Sequence, residues 1–257
     1  MKTRQCIFAS AVLLGTAGSA MAVDIGGLNV PTGPVFSVTS IYENVVTGVG
    51  QELKGVGEVT QINGVDVALL CTGCELTYQF GGYTVSSISP TDIKFTGGWV
   101  KFYLGFGADN DFNPFASGSS AADAAAATNG SLFMSLSGHA IDAAGNTFTG
   151  TGSNIGTASP AGFGAGLADI DTAGGGLANA FFDSNGIPAL FGGPADFQIG
   201  SSFSAILLPH PGECPTGPEC VAGSADFRAL VVPEPSTYAL LLGGLGLVGF
   251  VARRRRS

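Results

Sequence analysis

The chain has 257 residues, room for one large domain, with 11% charged residues against roughly a quarter in ordinary soluble domains and 41 glycines, about twice the usual share. Six of its ten Lys and Arg lie at the two ends, so the stretch from Gln5 to Ala252 keeps four of them and all nineteen Asp and Glu, a net charge of −15. An acidic surface of this kind repels phosphate backbones and excludes nucleic acid as a partner, and Val, Ile, Leu and Phe alternating with polar residues exclude a disordered body.

The first element is an export signal. Lys2 and Arg4 precede an apolar run from Ile7 to Gly18, and Ala20-Met21-Ala22 supplies small residues at a cleavage point. Residues 1–22 are therefore expected to be a signal peptide handled by the Sec export machinery, cut between Ala22 and Val23. Cys6 leaves with it.

The body, residues 23–231, shows strand-like runs separated by glycine and proline from about Val35 onward. Val56–Ile62 alternates apolar and polar residues, and Asn63-Gly64 then turns the chain into Val65–Leu70, a strong hairpin signal. Glu75–Phe80, Tyr83–Ser89 and Asp92–Phe106 follow, the last interrupted by Gly97-Gly98. Ser119–Thr128 is alanine-rich and reads as one short helix. Ser131–Ser137, His139–Thr149, Leu177–Asp183, Phe197–Leu208 and Ala225–Val231 are further strand candidates, while Gly162–Ala168 and Thr172–Ala178 read as loops. The expectation is a mostly β fold, a single antiparallel β-sandwich-like domain with one short Ala-rich helix.

Four cysteines survive signal removal, and in an exported chain disulfides are the default, with three connectivities open. The local pairs Cys71 with Cys74 and Cys214 with Cys220 are favoured, because each closes a short loop-like segment. A thioredoxin-like redox site would need its C-x-x-C between a strand and a helix, and Cys71–Cys74 lies between two strand candidates.

No residue pattern points to catalysis. Only His139 and His210 are available as imidazole bases, and neither has a second His or a Cys at metal-ligand spacing. No serine sits in G-x-S-x-G, so the nucleophile elbow is missing. Two acids distant in sequence would suffice for a glycoside hydrolase or lyase, but the sequence does not select a pair. No cofactor is expected. Calcium is the cation the pattern admits: Asp109, Asp111 and Asn113 place oxygen donors at alternate positions, without the glycine and glutamate of an EF-hand loop. Turn chemistry explains the same residues, since Asp and Asn cap local backbone groups. Trp99, near Phe102 and Tyr103, suits either stacking on a sugar ring or burial in a core.

The C-terminal segment, residues 232–257, has three parts in order. Pro233-Glu234-Pro235 comes first, then apolar Tyr238–Ala252, then Arg253, Arg254, Arg255 and Arg256. Fifteen apolar residues in a helix span roughly 22 Å, which Thr237 and the long arginine side chains extend toward the width of a bilayer core. A transmembrane helix is expected, with the arginines as a stop on the cytoplasmic side of the inner membrane. Gly244-Leu245-Gly246-Leu247-Val248-Gly249 fits the dinucleotide fingerprint but lacks its strand, helix and acidic residue, so no nucleotide follows from it.

This tail resembles the PEP-CTERM sorting signal of Gram-negative bacteria, whose carriers are substrates of exosortase, a membrane-embedded cysteine protease and transpeptidase. The resemblance implies cleavage near the Pro-Glu-Pro triplet and transfer to the outer surface or the extracellular matrix, in bacteria that make exopolysaccharide or biofilm. Two prolines keep the triplet extended and out of helix or sheet, which leaves its backbone open to an enzyme at the membrane surface. The expected role is a non-enzymatic envelope or matrix protein with exosortase as processing partner and exopolysaccharide as a further one. The alternative is a carbohydrate-binding or adhesive module, calcium-dependent through Asp109, Asp111 and Asn113 or built on Trp99, and the second is a secreted glycoside hydrolase or lyase.

Overall fold

The computed structural model describes residues 22–230 and 243–245. The chain enters as a hairpin, β1 (Val23–Ile25) and β2 (Leu28–Val30), beginning at the residue expected to follow signal cleavage. β3 (Val35–Glu43) and β4 (Glu52–Ile62) lead to a two-residue β5 (Val65–Asp66) and one helical turn, α1 (Val67–Leu70). Two long strands follow, β6 (Cys74–Ile88) and β7 (Asp92–Phe106). An excursion carrying α2 (Ser120–Ala126) then precedes β8 (Ser131–His139), β9 (Asn146–Ser153) and β10 (Ala161–Ile170). α3 (Asn179–Phe182), β11 (Phe197–Ser204), a second excursion and β12 (Val221–Ala229) complete the body.

The sheet closes on itself. β3 pairs with β4, β4 with β6, and so on through β7, β8, β10, β11 and β12, which returns to β3, every pair antiparallel. β8 and β9 share one place in this ring of eight. β8 lies against Trp99–Leu104 of β7 and β9 against Asp92–Thr96, and β10 closes over both. The fold is thus an antiparallel closed barrel with extra strands, mostly β as expected, but not the two-sheet sandwich. Period-two alternation is common to both architectures. What separates them is the pairing of β12 with β3 and of β10 with β11, between residues far apart in sequence.

His139–Thr149, read as one strand, is split by a turn between β8 and β9, Glu75–Phe80 and Tyr83–Ser89 join in β6, and three further readings change for physical reasons. Gly162–Ala168, read as a loop, lies within β10, where Cβ atoms at Gly164 and Gly166 would fall 2.5 Å from the Phe148 ring. Those glycines make room for an aromatic on the neighbouring strand. Leu177–Asp183, read as a strand, contains α3, whose Phe182 is fully buried against Phe36 and Phe197. Val65–Leu70 pairs for only two residues before turning into α1. The Asn63-Gly64 turn is as expected, both residues at positive φ (53° and 76°).

Inward-facing rings fill the barrel. Tyr78 on β6 sits opposite Phe102 on β7, which packs edge-on against Phe227 of β12 at 5.1 Å. Phe182 and the β1–β2 hairpin residues Leu28 and Val30 join the same buried core near one end. Toward the other end a cavity of about 90 Å³ remains, lined mostly by apolar side chains, with Glu43, Asn44, Ser201 and Ser202 among them. That volume holds a few waters, well short of the roughly 300 Å³ at which sites for cofactor-sized ligands begin.

Candidate functional site

The two excursions fold onto the outer wall of the barrel over Tyr42 of β3 and Val56 of β4, where a small second core forms with Phe112 and Ala127. The first leaves β7 after Phe106, opposite Cys74. The second leaves β11 beside Phe203, which lines the cavity, so the two start from opposite rims. α2 lies close to the wall because its side chains are small. Ser119 caps it, accepting a hydrogen bond from the Ala122 amide, and Thr77 Oγ1 on β6 donates to the Ala127 carbonyl at 2.8 Å.

Asp123 is the single charged residue of that helix, and it is buried, 1% exposed. Its Oδ2 lies 2.8 Å from His210 Nε2 on the second excursion, and Glu219 Oε2 is 3.8 Å from the same nitrogen. One donor atom from each of Asp123, His210 and Glu219 falls within 4.8 Å of the others. Ser117 Oγ sits 3.0 Å from His210 Nε2, and Glu213 accepts hydrogen bonds from the Ser120 amide and hydroxyl. Glu219 is 2% exposed. Burial, reinforced by the neighbouring Asp123 and Glu213 carboxylates, pushes its carboxyl up to about 8. The hydrogen bond to Ser120 holds Glu213 below its ordinary value, despite an opposing contribution from burial.

The disulfide Cys214–Cys220 clips the loop that carries Glu213 and Glu219, with Cα atoms 5.3 Å apart. Cys71–Cys74 joins the end of α1 to the start of β6 at a Cα separation of 5.8 Å. Both pairs are the local ones favoured from spacing. In the Cys71–Cys74 segment a helical turn precedes and a strand follows, the reverse of a thioredoxin-type junction.

The oxygen-rich run lies on the surface of the first excursion. Asp109, Asp111 and Asn113 are exposed, Asp111 accepts from the Asn129 side chain at 3.0 Å, and the Asn113 carbonyl accepts the Ala116 and Ser117 amides. Phe112 between them turns inward, its amide donating to Glu75 Oε2 at 3.0 Å. Among the described residues, the acid and histidine group close enough to share an ion is the Asp123, His210 and Glu219 set. Sequence reading weighed His210 as a base, looked for metal partners only among His and Cys at ligand spacing, and missed both acids. The available signals were a lone acid in a helix of small residues and an acid beside a cysteine in a closed loop.

Trp99 points outward from β7 and lies against Gly81 and Gly82, with Lys101 Nζ 5.5 Å from its ring centroid. A groove of about 260 Å³ runs from Trp99 to Glu219, lined also by Glu52, Lys54 and Gln79. His139 is buried at the end of β8, bonded to Asp169 and the Phe191 carbonyl.

The cleavage residue Ala20, the triplet Pro233, Glu234 and Pro235, and Arg253–Arg256 lie outside the described residues. Of Tyr238–Ala252 only Gly243–Leu245 is described, as helix, and among the described residues no helix is long and apolar enough to cross a membrane. No curated protein and no solved structure matches the chain. Residues 231–256 match the PEP-CTERM protein-sorting motif, and the chain is therefore an exported, cell-surface-sorted protein that exosortase processes.

Proposed function

We propose that the protein is a non-enzymatic component of the bacterial envelope or exopolysaccharide matrix, an acidic barrel delivered to the surface by its tail. The observation that carries this reading is the sorting motif at residues 231–256 attached to one barrel. The chain is exported by Sec, held in the inner membrane by Tyr238–Ala252 until exosortase acts near Pro233-Glu234-Pro235, and then passed outward. The cavity volume supports a structural role for the barrel over the carriage of a large ligand, and the two short disulfide loops suit an oxidising, protease-rich exterior. Replacing Pro233, Glu234 and Pro235 by alanine in the producing bacterium tests the reading. The variant should accumulate in the inner membrane and leave the matrix depleted of this protein and less cohesive. Normal delivery of the variant, or turnover of the host's polysaccharide by purified protein, would contradict it.

The outer groove favours a second reading, a carbohydrate-binding module. Trp99 offers an aromatic surface and Glu52, Lys54 and Gln79 offer hydrogen-bonding groups along one trough. A sugar stacking on the indole has to displace Lys101, which already occupies it. Binding of purified matrix polysaccharide that is lost in Trp99→Ala would support this reading, and unchanged or absent binding would remove it.

A further inference from the structure

The group formed by Asp123, His210 and Glu219 is short of partners. Asp123 Oδ1 and both carboxylate oxygens of Glu219 are buried without a hydrogen-bond partner. None of the ion pairs among the described residues brings a lysine or arginine to them; the pair that uses a lysine joins Lys94 to Asp142. Both acids are buried beside a single imidazole, and an ionised carboxylate held there without a positive partner costs several kcal/mol. Lone pairs without donors add to that penalty.

We propose that Asp123, His210 and Glu219 bind a divalent transition-metal cation, zinc by the chemistry of the donors. The imidazole nitrogen selects against calcium and magnesium, which take oxygen ligands, while one nitrogen and two carboxylate oxygens suit zinc. The separations fit. Bonds of about 2.0–2.1 Å in a tetrahedral shell place donor atoms roughly 3.3 Å apart. His210 Nε2 is 2.8 Å from Asp123 and 3.8 Å from Glu219, each about half an ångström from that value, and the three donor atoms lie within 4.8 Å of one another. Two carboxylates and a neutral imidazole balance the ion's charge, and the orphaned oxygens gain a partner. Ser117 Oγ or a water completes the shell. The ion joins α2 on one excursion to the disulfide-clipped loop on the other, pinning both to the barrel wall.

The test uses protein purified from the producing bacterium without chelators. Elemental analysis should find close to one equivalent of zinc. After chelator treatment, zinc should rebind in competition with a chromophoric chelator and raise the melting temperature, whereas the same concentration of calcium should not. Glu219→Gln and His210→Gln should each weaken zinc binding by more than roughly a hundredfold, since losing even an outer partner of a ligand costs 10–100-fold. Asp109→Asn, on the exposed turn, should leave it unchanged. Cobalt bound in place of zinc should show visible absorption that His210→Gln alters. Native and reloaded protein without a tightly held equivalent overturns the proposal, whether or not the variants fold. So does zinc binding that survives both substitutions, and so does a Glu219→Gln protein that is more stable with or without zinc, because the two carboxyls would then be sharing a proton.

Discussion

His139 Nδ1 lies 2.7 Å from the Asp169 carboxylate, and the other ring nitrogen lies 2.7 Å from the Phe191 carbonyl. Both partners accept hydrogen bonds, so only the imidazolium satisfies both contacts as a donor. Burial opposes the charge, but Asp169 and the Phe191 carbonyl outweigh it and raise the pKa above the ordinary histidine value. The stabilisation is therefore fully present below the unfolded pKa of about 6.5 and declines as pH rises through the raised folded value. His139→Gln should destabilise the barrel by roughly 1–3 kcal/mol at pH 5 and by clearly less at pH 9, read by denaturant titration.

Glu43 makes stability fall with rising pH in the same sense, through a buried group that must ionise without a partner. Its carboxyl lines the cavity, and burial pushes it up to about 8. Between pH 4.5 and 8 the folded chain keeps a proton that the unfolded chain releases, so stability falls across that window. Glu43→Gln should match the parent at pH 4 and exceed it at pH 8 by on the order of 2–4 kcal/mol. Melting curves at the two pH values check this, and an equal effect at both would contradict it.

Asp196 is a buried clamp, 2% exposed, accepting the Ile170, Ser184 and Asn185 amides at 2.8, 2.7 and 2.6 Å. It ties the end of β10 to the segment entering β11. Asp196→Ala leaves three amides without their acceptor and should cost about 3 kcal/mol or more. Hydrogen exchange should show lost protection at those three amides first.

Gly98 and Gly118 form a matched pair. At Gly98 φ is +93° and an added Cβ would collide with the Tyr83 ring, whereas nothing lies within 4 Å of the position at Gly118. Gly98→Ala should destabilise by roughly 2–4 kcal/mol, and Gly118→Ala should be within about 0.5 kcal/mol of the parent. Thermal melts of the two variants check the contrast.

What the sequence made legible follows from how local each feature is. The Asn63-Gly64 turn, the alanine-rich helix and both cysteine pairs rest on neighbours within a few residues, and each stands where its spacing placed it. Barrel closure depends on Phe36 lying opposite Phe227, 191 positions away along the chain, and alternation carries no record of partners. Gly164 and Gly166 looked like loop residues because the Phe148 ring filling their space belongs to another strand. The Asp123, His210 and Glu219 group escaped detection for the same reason. His210 and Asp123 are 87 positions apart, and only the folding of two excursions onto one wall unites them.

Intact-mass measurement of the protein from its native host, with separation into inner membrane, envelope and medium, tests the central claim most directly. The account predicts a chain that starts at Val23, stops near Pro235 without Tyr238–Ser257, carries two disulfides and resides in the envelope or matrix. A chain that retains Tyr238–Ser257 and is confined to the inner membrane would contradict it.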